Sequence, residues 1–485
     1  MHMLNQAILE DLGRMVGSDG IILEREQLQT YECDALTAFR VVPGAVVLPR
    51  TTAQVQEVVR LCARHGIPFV ARGAGTGLSG GALPAAGGIV ISFARMTRIL
   101  EVDIANQRVA VEPGVINAHV TNAVADHGYF YAPDPSSQPV CTIGGNVAEN
   151  AGGAHCLKYG FTTTHVLGLE VVLPDGELVH LGGAALDAPG YDLTGLFVGS
   201  EGTLGVATKA ILRIVKRPEA VQTLLAAFHS STAAADTVSG MISAGMLPSA
   251  IEMMDRLSIQ ATEAAVHAGY PLCEALLLVE LDGPVSEVES QMRMVRDLCA
   301  LHGSSEVRVA QTADERALIW KGRKAAFAAM GRIAKNYILQ DGVIPRTALA
   351  RVLRQIEEMG AAAGLRIANV FHAGDGNLHP MVLYDDRIPG QEEIALDLSY
   401  RILRACVDAG GSITGEHGVG KEKQQEMGYM FSEPDLATMQ RVRCAFDPKG
   451  ISNPDKLFPR PRLCAEKAGP YQPHPLEASG VAEFF

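Results

Sequence analysis

Two histidines and a glutamate–histidine pair carry the spacing in this chain that most directly suggests chemistry. His372 and His379 flank the turn Gly374-Asp375-Gly376-Asn377, and a second site-like motif reads Gly415-Glu416-His417-Gly418. The stretches 365–371 and 379–384 read as two strands, so the imidazoles stand at the mouth of a hairpin. Facing residues there have Cβ atoms about 4.5 to 5.5 Å apart, close enough for two rings to converge on one cation. Zinc suits such a pair, with bonds to nitrogen of about 2.0 to 2.1 Å and a position left open for substrate. Glu416 could supply the third ligand, its flanking glycines keeping the backbone compact. Ordinary hydrogen bonding within a hairpin competes with this reading, because His-x6-His alone is a weak signal.

Three glycine-rich stretches offer a second kind of chemistry. Arg72-Gly73-Ala74-Gly75-Thr76-Gly77-Leu78-Ser79-Gly80-Gly81 matches both the dinucleotide fingerprint, at Gly75, Gly77 and Gly80, and the nucleophile elbow, at Gly77, Ser79 and Gly81. Each of those motifs needs a helix straight after the loop. Here Pro84, Gly87 and Gly88 intervene before a strand, so both matches are accidental. What survives is a loop whose backbone N–H groups can approach an anion such as a diphosphate closely. A flexible surface loop would be the plainer reading if the stretch stood alone. Residues 133–153 form a second such stretch, with Ser136, Ser137, Thr142 and Asn146 as hydrogen-bonding groups, and Gly199 to Gly205 form a third.

The elements that must position these loops are α+β in texture. Ala45–Leu48 reads as a strand, Thr51 opens a helix with Val55, Val58, Val59 and Cys62 on one face, and Gly66 and Pro68 stop it. Strands follow at 69–71, 89–93, 99–103 and 108–112, then a helix at 116–127, a loop at 141–153 and a hairpin turning at Pro174-Asp175-Gly176. After about residue 218 strands alternate with longer amphipathic helices (strand 275–281, helices 285–301 and 313–334), which predicts a second α+β domain on an antiparallel sheet. The divisions expected are a helical segment over 1–40, an N-terminal domain over 41–218, a cap over 219–430, a C-terminal segment over 431–465, and a loosely ordered tail over 466–485.

At 485 residues the chain exceeds one ordinary domain. Its formal charge of −13 disfavours a nucleic-acid partner. No apolar run is long enough to cross a bilayer, and the N-terminus lacks the features of a signal peptide, which predicts a cytoplasmic protein. The nine cysteines include no Cys-x-x-Cys pair, so they read as free, mostly buried thiols, with no motif for an iron–sulfur cluster. Any electrons removed from a substrate must leave by another route.

The segments Pro49–Pro84, Pro133–Gly153 and Phe197–Val206, in that order, resemble the vanillyl-alcohol oxidase and p-cresol methylhydroxylase superfamily of FAD proteins. The resemblance implies a two-subdomain FAD-binding domain of that type, a cap with an antiparallel sheet, and a C-terminal segment returning to the FAD domain. It places the diphosphate on Arg72 to Gly80 and the flavin near Pro133, Asp134, Ser136, Ser137, Thr142, Gly144, Gly145 and Asn146. Ala151, Gly152, Gly153, Glu201, Gly202, Gly205, Val206 and Asn453 complete the implied cofactor site. Some members attach FAD through a histidine in or near the diphosphate loop; residues 72–88 contain none, so noncovalent FAD is expected.

Phe371 to Pro380 and Gly411 to Gly420 further resemble the branch holding the glycolate oxidase D subunit, D-lactate dehydrogenases and D-2-hydroxyglutarate dehydrogenase. That resemblance implies a divalent metal on His372, His379 and Glu416, His417 as the base, and oxidation of a small 2-hydroxy acid. Arg323, three residues after Trp320, would pair with the substrate carboxylate, since a guanidinium suits bidentate recognition, with a solvated helical arginine as the competing reading. Phe327 stands where a dicarboxylate substrate would call for a polar residue, which favours glycolate or D-lactate. Likeness to the D subunit also implies an iron–sulfur subunit and a second flavoprotein-like subunit as electron acceptors, and through them association with the inner face of the membrane.

Overall fold

Thr51 starts the first long helix by accepting the Gln54 N–H at its side chain, and Gly66, at φ +64°, ends the helix Thr52–His65. This is a computed structural model, and it describes residues 4–185 and 189–459. The helix buries Val55, Val58, Val59 and Cys62 beside Val47, Phe69, Ile89 and Ile91. Those last residues belong to three parallel strands, Ala45–Val47, Ile89–Ser92 and Phe69–Arg72, with the Ile89 strand central. A second sheet is antiparallel throughout, in the order Ile99–Asp103, Arg108–Val111, Val206–Arg213, Val166–Val172, Leu178–Gly182. The last two strands are joined through the Pro174-Asp175-Gly176 turn.

One local expectation fails between the two sheets. Residues 141–153 are not loop throughout: Ile143–Glu149 is a helix, capped by Thr142, whose hydroxyl accepts the Gly145 N–H, and ended by Asn150 at φ +53°. Two successive glycines argue against helix on propensity alone. The cap and the burial of Ile143 and Val147 in the second sheet's core override that preference.

From Ala220 onward the chain builds a nine-stranded sheet whose central strands pair antiparallel. Side chains alternate across it with period two. Leu224, Ala226 and Phe228 share a core with the helices Ser231–Ser243, Val285–Leu301, Leu349–Ala363 and Gln391–Asp408, while Leu225 and Ala227 share one with Arg256–Val266 and Ala313–Ala329. Burial on both faces explains the unbroken apolar run Leu276-Leu277-Leu278-Val279. The fold is thus α+β, and its C-terminal segment does return to the N-terminal domain. The Phe69 N–H donates to the Ile451 carbonyl at 2.9 Å, and the Asn453 N–H to the Phe69 carbonyl at 2.9 Å.

Cys33, Cys62, Cys141, Cys156, Cys273, Cys299 and Cys406 are free, all but Cys33 buried. Cys444 is disulfide-bonded, against the expectation of free thiols throughout. Cys464 and the 466–485 tail lie outside the described residues.

A buried ion network ties the cap to the N-terminal domain. His155 meets Asp134 Oδ2 at 2.9 Å through Nδ1 and Glu280 Oε1 of the cap at 3.2 Å through Nε2. Glu280 also accepts from Arg316, Trp320 and Thr223. Burial disfavours a charged ring, but the two flanking carboxylates outweigh it and raise the His155 pKa to about 10. A folded-state pKa above the unfolded value of about 6.5 gives stability that is complete below pH 6.5 and lost as pH rises through 10. His155→Gln should therefore cost on the order of 3 kcal/mol at pH 6, and its urea midpoint should converge on that of wild type near pH 10. A stability difference that does not change with pH would contradict a charged His155.

Candidate active site

The glycine-rich loops and the cap enclose a cavity of about 760 Å³, within the range of cofactor and ligand sites. Its wall includes Arg72 to Leu78, Ser136, Ser137, Thr142, Gly144, Gly145, Asn146, Ala151, Gly152, Glu201, Gly202, Gly205 and Val206. Ser79, Gly80, Pro133, Asp134, Gly153 and Asn453 do not line it; they brace it from behind. The Ser79 carbonyl accepts the Lys421 and Glu422 N–H groups, Asp134 holds His155, and the Pro133 carbonyl accepts from Asn117. Gly153, at φ +145°, packs on Asp134, and Gly80, at φ +75°, packs on Lys421. Asn453 donates from its amide to the carbonyls of Gly81 and Glu201, joining two loops.

The wall fits a dinucleotide cofactor. Among the described residues no protein acceptor meets the backbone N–H groups of Gly73 through Leu78, which leaves a run of donors for a diphosphate. A Cβ added at Gly77 would come no nearer than 3.8 Å to another residue, and one at Gly145 no nearer than 3.5 Å. A side chain at either place would therefore occupy cofactor space without striking protein. Gly145→Leu should leave the fold intact and lower the FAD content of the purified protein at least tenfold; undiminished flavin absorbance would show that the cofactor lies elsewhere.

At the cap side of the same cavity, His379, Glu416 and His417 line the wall, with His372 directly behind. His372 and His379 do not face each other across strands, since His372 is paired with Asn377. Their rings still meet edge to face at 5.1 Å. Nε2 of His372 lies 3.1 Å from Glu416 Oε1, and Nε2 of His379 lies 3.4 Å from the same oxygen. One donor atom from each of the three residues falls within 4.8 Å of the others, and His379 Nδ1 is buried without a hydrogen-bond partner. Two imidazoles and a carboxylate are a donor set that fits a divalent ion such as zinc.

Asp341, His379 and His417 form an overlapping cluster. Asp341 is otherwise engaged, because its carboxylate accepts the Thr414 hydroxyl at 2.6 Å and the N–H groups of Gly415, Glu416 and His417 at 3.0, 3.2 and 2.9 Å. It acts as the peg on which the Glu416–His417 loop is hung. Glu201 fastens the same loop from the N-terminal domain, accepting the Val419 and Gly420 N–H groups at 2.7 Å each. His417 stacks on His379 at 5.0 Å between ring centres. Burial pushes its pKa down to about 4, against the opposing pull of Asp341, so the ring is neutral at working pH.

Arg323 departs from expectation. It is 2% exposed and does not line the cavity. Its guanidinium is turned to Glu252, with Nε 2.6 Å from Oε2. The helix carrying it packs against the sheet face on which Glu252 lies, and that carboxylate captures the charge.

Sequence reasoning assigned no role to Asp341, Glu252 or Glu149. Glu149 lines the cavity between two glycines: a Cβ on Gly81 would lie 2.5 Å from one of its oxygens, and a Cβ on Gly418 would crowd the other. Burial, and then the charge of Glu201, push its pKa well above the carboxylate range. Glu149 lies within the family-like segment Pro133–Gly153, and Glu252 carried no signal in the sequence. Phe327, singled out in the sequence, is joined on the wall by Tyr337, Tyr384 and Tyr400, which come from separate elements and show no sequence pattern.

Comparison with known proteins agrees with this geometry. A family model for an FAD binding domain matches residues 43–182, and one for the C-terminal domain of FAD linked oxidases matches residues 217–457. The chain is 49% identical over 442 residues to the glycolate oxidase subunit GlcD of Escherichia coli strain K12, covering 91% of this chain and 89% of the relative. It is 33% identical to a D-lactate dehydrogenase of Anaerostipes hadrus, covering 86% and 89% of the two chains. The solved structure of p-cresol methylhydroxylase with substrate bound superposes with a TM-score of 0.80 at 17% identity, over 94% of this chain and 97% of the other. The chain therefore belongs to the FAD-linked oxidases, flavin-dependent oxidoreductases, and has the fold of p-cresol methylhydroxylase.

Proposed function

We propose that this enzyme oxidises a small 2-hydroxy acid, with glycolate, giving glyoxylate, as the first choice of substrate. The observation that carries the proposal is the shared cavity: a glycine-lined cofactor wall faces a His–His–Glu donor set with a neutral histidine beside it. When bound, FAD supplies the acceptor for a hydride from the substrate carbon, and a divalent ion, zinc by its donor set, supplies a Lewis acid for the substrate oxygens. His372, His379 and Glu416 would hold the ion. His417 takes the hydroxyl proton at an imidazole nitrogen, and Asp341 keeps that ring in place through the loop backbone. Phe327, Tyr337, Tyr384 and Tyr400 exclude water and limit the length of the acid.

Arg72 and Lys335 supply the cationic side chains among the lining residues. Arg72 donates to the Cys33 carbonyl and Lys335 is paired with Asp386. Arg72 stands at the start of the proposed diphosphate wall and Lys335 already has a carboxylate partner, which supports glycolate or D-lactate over a dicarboxylate. D-lactate is the second reading, favoured by the D-lactate dehydrogenases among the relatives. The lining histidines, His379 and His417, belong to the metal and base cluster, which supports noncovalent FAD. A relative named as a subunit supports a multi-subunit complex, within which an iron–sulfur subunit and a second flavoprotein-like subunit on the cytoplasmic side of the membrane are the proposed electron acceptors. Among the described residues no helix is long and apolar enough to cross it.

Anaerobic titration of the FAD- and metal-loaded protein with glycolate, D-lactate and D-2-hydroxyglutarate tests the assignment. Bleaching of the flavin should be fastest with glycolate, slower with D-lactate and minimal with the dicarboxylate. Flavin that none of the three reduces would overturn it.

A further inference from the structure

We propose that Glu252 is a positioning residue of the metal site: it fixes the ring of His372 from behind, and Arg323 holds Glu252 in turn. The inference rests on the metal reading above and adds to it. Glu252 and His372 are direct partners across adjacent antiparallel strands, so their side chains rise from the same face of the sheet. Nδ1 of His372 lies 2.7 Å from Glu252 Oε1, while Nε2 of the same ring points at Glu416. The other Glu252 oxygen takes Arg323 Nε at 2.6 Å. All three are buried, Glu252 completely.

Packing alone does not explain a charge at this place. Glu252 lies in the centre of the sheet between Ala250 and Met254, both of which belong to the apolar core on that face. A buried ion pair generally adds little over an apolar pair of the same volume. What an apolar residue could not do is accept the Nδ1–H of His372, which fixes the tautomer and leaves Nε2 with its lone pair toward the ion. Carboxylates placed behind metal-bound histidines do this generally, and removing one typically weakens metal binding by about 10- to 100-fold.

The test compares wild type, Glu252→Gln, the double variant Glu252→Gln/Arg323→Met and His372→Ala, all as FAD-loaded protein. The double variant leaves no buried charge unpaired, and flavin content reports that the fold is retained. Co2+ is titrated in competition with a chromophoric chelator, and its visible absorption bands are recorded. The expected result is Co2+ binding weakened about 10- to 100-fold in both Glu252 variants, with shifted bands, and abolished in His372→Ala. Glu252 variants with wild-type affinity and spectrum, alongside a His372→Ala protein that binds no Co2+, would overturn the positioning role and leave the metal site standing. A wild-type protein that binds no Co2+, or a His372→Ala protein that binds it normally, would overturn the metal reading and this proposal with it.

Discussion

Replacing His417 with alanine should slow flavin reduction by substrate about a hundred- to ten-thousand-fold, the range for loss of a positioned general base. FAD content and metal content should stay at wild-type levels, because His417 lies outside the His372, His379, Glu416 donor set and away from the glycine wall. The physical basis is its protonation state. With its pKa pushed down to about 4 by burial, the imidazole is free to accept a proton throughout the neutral range. Stopped-flow reduction with glycolate under anaerobic conditions measures the rate directly. A variant that is reduced as fast as wild type would remove His417 from the reaction.

The second large effect is expected at Asp341, where one carboxylate organises several others' positions. Asp341→Asn replaces one acceptor oxygen by an NH2 group, which cannot accept from the crowd of N–H donors of Gly415, Glu416 and His417. It also removes the negative charge 3.7 Å from Lys423, whose side chain is fully buried. Stranding a buried cation in this way costs about 3–5 kcal/mol. The Asp341 carboxyl is itself held well below the usual range: burial would raise it, but His417 and Lys423 more than compensate. Equilibrium unfolding in urea, with metal analysis of the folded fraction, should show both lowered stability and loss of the proposed ion. Wild-type stability and metal content in Asp341→Asn would mean that the loop holds itself in place without this peg.

Much of the architecture was legible in the sequence because it rests on local patterns. Thr51 and Gly66 mark the ends of one helix through capping chemistry, and the Pro-Asp-Gly turn announces a hairpin. The helix Val285–Leu301 shows its amphipathic period. The helix Ile143–Glu149 was not legible, since its glycines lower helix propensity and its support comes from a core assembled out of other segments. The cofactor wall could be read for a similar reason to the turns: glycine-rich runs change what a backbone can do wherever they occur. The residues behind the site could not. Glu252 and His372 are 120 positions apart and meet only because two strands pair in one register.

Arg323 is the clearest case of the division. Its type and its distance from Trp320 suggested a carboxylate partner, and the sequence by itself determined only that a guanidinium would stand on that helix. Only the tertiary structure decided which carboxylate it meets, because that depends on which helix packs on which face of the cap sheet. The same holds for the whole centre. Capping and glycine spacing determined an α+β chain with anion-ready loops and a histidine hairpin, and the resemblance to known FAD proteins implied the flavin. The convergence of His372, His379, Glu416 and His417 was decided by strand pairing and loop packing within the cap, since Coulomb and hydrogen-bond forces act across a few ångströms of space regardless of separation along the chain.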